Sequence, residues 1–237
     1  IGNSMSTKGW RRWVYRPQAL PLRRVLYQVH LWLGITVGLY VVVISVSGSA
    51  VVFRRELTRW LLPDGNIPNT GYPWALVILE WFVDLHDNLL SGSIGRDLNG
   101  VGAVFVAVIV LTGTFIWWPG RQRWKQSLMV QRTQARRFSW HLHSAIGFWS
   151  LIFLFGWSVT GIYFAFPEPF EWFFNRFDQD PSDFQRPGEG ILLMLIDLHF
   201  GRFGGLAIRT LWVILGLLPA VLFITGATVW WKRTQKK

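Results

Sequence analysis

Trp140-His141-Leu142-His143-Ser144-Ala145-Ile146-Gly147 sets a histidine at the head of a long apolar run, with a glycine one turn further on. The same arrangement stands earlier in the chain, where His30 is followed by Gly34. The two histidines are 113 residues apart, and Asp84-Leu85-His86 recurs as Asp197-Leu198-His199 at that same offset. Shifted by this amount, the chain matches itself without a gap. Arg23-Arg24 falls on Arg136-Arg137, Gly34 on Gly147 and Gly48 on Gly161. Further on, Gly92 falls on Gly205, Arg96 on Arg209, Thr112-Gly113 on Thr225-Gly226, and Trp117-Trp118 on Trp230-Trp231. The chain is a duplication, and four of its five histidines form two matched pairs.

The solvent of this chain is legible in its composition. Apolar residues make up 51% of 237, with 16 tryptophans, which suits a protein solvated by lipid. No cysteine is present, so disulfides, thiolate clusters and covalent c-type haem attachment are excluded. A net charge of +11 invites nucleic acid as a partner, but its placement argues against that. Residues 1–24, 119–138 and 232–237 hold 16 of the 24 basic residues and no acid, while all 13 acids lie within Arg54–Gly100 and Pro167–Leu206. This is the positive-inside asymmetry, and it predicts that both termini are cytoplasmic. Ile1–Arg24 has no apolar core and is not expected to be a signal peptide, and Met5 is the expected start.

Four apolar runs are long enough to span a bilayer: Val25–Phe53, Leu98–Trp118, Leu142–Phe166 and Leu206–Trp231. The expected fold is an all-α membrane protein of four transmembrane helices, built from two parallel-oriented two-helix repeats. Residues 1–24 form a basic cytoplasmic N-terminus, 25–118 the first repeat, 119–137 a basic cytoplasmic loop, 138–231 the second repeat and 232–237 a cytoplasmic tail. Trp74–Leu90 reads as a short amphipathic helix on the periplasmic surface, with Glu80, Asp84 and Asp87 in one acidic stripe. Ile191–Phe200 is its weaker copy. Pro63-Asp64-Gly65-Asn66 and Pro181 through Gly190 read as turns and loops. Pro219 has no proline counterpart and predicts a local kink in the fourth span. The paired tryptophans ending the second and fourth spans read as interfacial belts.

An ionisable residue inside a membrane is a functional candidate by default. An axis along the membrane normal would set His30 opposite His143 at one depth, and His86 opposite His199 at another. Two opposed imidazoles are the axial set of a six-coordinate haem, and helical bundles build cofactor sites in this way. Two b-type haems are therefore expected, dividing the roughly 30 Å apolar core into shorter electron steps. Gly34 and Gly147 lie on the faces of their histidines and would let a flat macrocycle approach. Arg23, Arg24, Arg136 and Arg137 stand where haem propionates need charge partners, and also serve as ordinary positive-inside residues. Asp84 and Asp197 are candidate tuning groups or simply solvated acids. His141 points away from His143 and is expected at a hydrogen-bonding or packing position. Histidine-only sites also suit copper, zinc or non-haem iron, although no carboxylate shares the His30/His143 layer.

These residues resemble the PepSY-associated transmembrane family, which includes haem-containing ferric-siderophore reductases of bacterial inner membranes. The likeness rests on the arginine pair with His30 and Gly34, Leu85-His86, the arginine pair with His143 and Gly147, and Leu198-His199. It implies a multi-pass protein of the bacterial cytoplasmic membrane that carries electrons to a periplasmic acceptor, ferric iron or a ferric siderophore. The outer connectors are shorter than those of the larger members. They leave open a haem-bearing or structural subunit of a larger complex. No nucleotide loop is evident, so electrons are expected from a quinol or a donor protein.

Overall fold

A computed structural model describes residues 11, 13–15, 17–62, 71–122, 124–130, 138–176 and 187–235. Among these residues there is no strand. The helices are α1 (Pro21–Thr36), α2 (Gly38–Val51), α3 (Arg54–Leu61), α4 (Trp74–Asn88), α5 (Gly92–Trp117) and α6 (Trp124–Ser127). They continue as α7 (Phe138–Ala165), α8 (Pro167–Asn175), α9 (Pro187–Phe200), α10 (Gly205–Gly216) and α11 (Leu218–Thr234). A turn of 3₁₀ helix at Pro17–Ala19 precedes α1. The all-helical reading holds.

Three stretches among the described residues are long and apolar enough to cross a membrane: α5, α7 and the run Gly205–Thr234, made of α10 and α11. A fourth follows if α1 and α2, bent at their junction, count as one broken span. The first run expected to span, Val25–Phe53, is thus a helix pair bent at Val37. Thr36 Oγ1 donates back to the Trp32 carbonyl at 2.8 Å, and the Val37 N–H closes the helix on Leu33 O at 2.9 Å. Such back-bonding by threonine bends helices. The fourth run is interrupted at Leu217, two residues before Pro219, and then resumes. The loop expected through Gly190 ends sooner, because Pro187 opens α9 at the position a proline tolerates best. Residues 63–66 lie outside the described part. Three short helices, α3, α6 and α8, were not anticipated.

The apolar order is inverted relative to a water-soluble protein. Leu39, Ile152, Leu206 and Ile224 are exposed, whereas Ser47, Ser150, Ser158, Thr160 and Thr225 are buried. Four of these hydroxyls bond the carbonyl one turn back: Ser47 to Val43, Ser150 to Ile146, Thr160 to Gly156 and Thr225 to Val221. Small hydroxylated residues let helices approach closely where lipid supplies the apolar solvent. This is a multi-pass membrane protein.

The chain folds as two compact units, each drawing on both repeats. One takes the chain up to Leu39, Phe105–Phe155 and the chain from Leu218 onward. Within it, Gly38 sits flush against the Phe223 ring, and Trp118 donates from Nε1 to the Trp13 carbonyl at 3.1 Å. The other unit comprises Tyr40–Val104 and Gly156–Leu217. There Ser45 Oγ donates to Gly216 O at 2.5 Å and Ser49 Oγ to Val213 O at 3.3 Å, fastening α2 to α10. Leu76 and Leu79 of α4 are buried in this unit. Arg96 pairs with Asp87 at 2.8 Å. For its repeat copy Arg209 the position matching Asp87 is Phe200, which carries no acid, and Arg209 pairs instead with Glu56 from the other repeat.

Candidate functional site

Each unit brings together one of the histidine pairs. The rings of His30 and His143 have centroids 6.3 Å apart with planes at 82°. The rings of His86 and His199 are also 6.3 Å apart, with planes at 52°. Metal–imidazole bonds run about 2 Å, and a ring nitrogen lies about 1.1 Å from its ring centre. Two imidazoles in line through one metal therefore have centroids about 6.3 Å apart. The observed spacing is one at which both rings of a pair could ligate one metal.

Hydrogen bonding fixes which nitrogen carries the proton. His30 Nδ1 lies 3.0 Å from Ile109 O, and His143 Nδ1 2.9 Å from Leu222 O. The hydroxyls of Thr112 and Thr225 add second contacts at 3.3 and 3.1 Å. A carbonyl can only accept, so Nδ1 is the donor and Nε2 keeps a lone pair. His86 Nδ1 donates to Ile44 O at 3.1 Å, with Ser47 Oγ at 3.3 Å. His199 Nδ1 meets Thr160 Oγ1 at 2.6 Å. That hydroxyl spends its own proton on the carbonyls of Gly156 and Trp157, so it too accepts. Burial lowers the pKa of both His86 and His199, and they stay neutral at pH 7. Each Nε2 so left with a lone pair could serve as a metal ligand, and an Nδ1–H bonded to a carbonyl is the usual support of a ligating histidine.

Glycines shape the pockets of three rings. A Cβ added at Gly113 would stand 3.0 Å from His30 Cε1, one at Gly226 would stand 3.1 Å from His143 Cε1, and one at Gly48 only 2.7 Å from His86 Cε1. By contrast a Cβ at Gly34 meets nothing within 4 Å, and one at Gly147 only Leu222 Cδ2 at 3.8 Å. The sequence-derived glycines thus border open space, while the glycines that seat the rings are others. Thr112-Gly113, Thr225-Gly226, Gly48 and the Ser47/Thr160 pair all keep the repeat offset, and that register was the signal that could have singled them out.

Among the described residues no third His, Cys, Asp or Glu joins either pair. A bare ion would find two protein ligands, whereas a haem needs two and brings four of its own. The Arg23 guanidinium donates to Trp118 O at 2.8 Å and Ile116 O at 2.5 Å, at the C-terminal end of α5. Arg24 is exposed, and Arg136 and Arg137 lie outside the described residues. Asp84 and Asp197 are exposed and therefore solvated. His141 packs edge-on to Trp140 at 5.0 Å and belongs to neither pair.

The model of one family, the PepSY-associated TM region, matches residues 27–73, 66–190 and 175–233. The chain belongs to that family. The match takes in both histidine pairs and every candidate span. No curated protein and no solved structure matches the chain. Membership establishes the membrane region.

Proposed function

We propose that this protein holds two b-type haems and passes single electrons across the bacterial cytoplasmic membrane to ferric iron or a ferric siderophore. One observation carries the reading: two histidine pairs share a 6.3 Å ring separation, and every ring has its Nδ1 hydrogen-bonded. His30 and His143 are the ligands of one group, and His86 and His199 of the other. Bound haem iron supplies reversible one-electron chemistry. The residues supply the rest. Thr112, Thr225, Ser47 and Thr160, with the carbonyls beside them, orient the rings. Gly113, Gly226 and Gly48 let three of the rings sit tightly, and the space at Gly34 and Gly147 admits a flat macrocycle.

Electrons enter from a quinol or a donor protein on the cytoplasmic side, consistent with the basic termini expected there. The acceptor is a periplasmic ferric complex. The test is a redox difference spectrum of detergent-purified protein with a count of haem per chain. Two haems of low-spin b type are expected, and His143→Ala removes about half of the haem. A folded protein without haem would end this reading.

A further inference from the structure

The four imidazoles are not equivalent. His30, His86 and His143 each have two acceptors at Nδ1, a main-chain carbonyl and a hydroxyl. His199 has the Thr160 hydroxyl alone among the described residues. An acceptor at Nδ1 draws the proton away and makes Nε2 a stronger electron donor. With fewer acceptors, His199 is the poorest donor of the four.

A cation acts in the same direction. Arg202 stacks its guanidinium on the Phe200 ring at 4.1 Å, and that ring lies 5.3 Å from His199. The positive charge of Arg202 is felt at His199. Positive charge nearby disfavours the additional charge of an oxidised iron and so raises a reduction potential. The opposing acids are Asp87, beside His86, which is half-exposed and pairs with Arg96 at 2.8 Å, and Asp197, which is exposed and acts on Arg202 against the like charges of Arg54 and Arg55.

We infer that His86/His199 is the higher-potential of the two haem sites, held so by Arg202 and by the lone hydroxyl on His199. With haem bound at both pairs, an electron would be held more favourably at His86/His199 than at His30/His143. One electron moves, no bond is made or broken, and the ferric complex is the final oxidant. This inference rests on the haem reading above.

A spectroscopic redox titration of the purified full chain tests it. Two midpoints are expected. Arg202→Gln lowers the higher one, Thr160→Val raises it, and Thr160→Ser, which keeps the hydroxyl, leaves it in place; the lower midpoint does not move in any of them. Arg202 is half-buried in the turn between α9 and α10, outside any helix, so its variant is expected to keep the fold even if the Thr160→Val protein does not. Two bound haems whose higher midpoint ignores Arg202→Gln, or whose lower midpoint is the one displaced, overturn this assignment alone. A chain that binds no haem overturns it together with the reading it rests on.

Discussion

A Cβ placed on Gly226 would lie 3.1 Å from Cε1 and 3.4 Å from Nδ1 of His143. The glycine therefore sets the position of the imidazole, and through it the spacing to His30. Gly226→Val forces the ring aside by more than the roughly 0.5 Å that a ligand constellation tolerates. The expected result is a loss of about 10–100-fold in haem affinity at this pair, by analogy with other supports of metal ligands. Haem content per folded chain, read from the reduced spectrum, checks it.

Gly34 gives the opposite kind of variant. With nothing within 4 Å of an added Cβ, Gly34→Leu leaves the haem-free fold intact. If the macrocycle occupies that space, haem content still falls to about half, because the leucine fills the slot. Unchanged content in Gly34→Leu would show that the slot lies elsewhere.

Asn99 secures the element that carries His86. Its Nδ2 donates to the carbonyls of His86 at 2.7 Å and Asp87 at 3.1 Å, and its Oδ1 accepts from Tyr40 at 2.7 Å. Asn99→Leu leaves the last carbonyls of α4 and the Tyr40 hydroxyl without this partner, at about 1–3 kcal/mol for each buried group. Thermal unfolding in detergent should register the loss, with the haem of the His86/His199 pair released first.

Arg23 is expected to matter for stability rather than for haem. Its fork holds two carbonyls at the C-terminal end of α5, where a cation also meets the negative end of the helix. Arg23→Ala costs about 1–3 kcal/mol, and Arg23→Lys recovers only part, since an ammonium lacks the fork. Unfolding midpoints measure this, with haem per folded chain unchanged.

His141 is the internal control. Its ring stacks edge-on with Trp140 and joins neither pair. His141→Ala should keep the full haem content that His143→Ala halves, and an equal loss in both variants would contradict the assignment of ligands.

The sequence went furthest where periodicity and duplication speak directly. Apolar runs of membrane length, basic loops and a fixed offset between His30 and His143 and between His86 and His199 were sufficient to expect helices and pairing. The break at Val37 was hidden because the apolar run continues through it, and a hydropathy pattern records composition rather than direction. Arg23 illustrates the same limit. As a charge near a membrane surface it fits several partners, and only the approach of the α5 carbonyls selects one.

By itself the sequence determined which residues are copies of one another, because duplication is written in register and needs no folding to be seen. It also determined that lipid is the solvent, since chain composition sets that. Tertiary structure decided which nitrogen of each imidazole is spent and which glycine lies against which ring. Both depend on side chains meeting across helices far apart in the chain. It also separated His199 from its three counterparts. Only packing reveals that His199 Nδ1 meets the Thr160 hydroxyl and, among the described residues, no carbonyl, since the repeat register makes the two copies look alike.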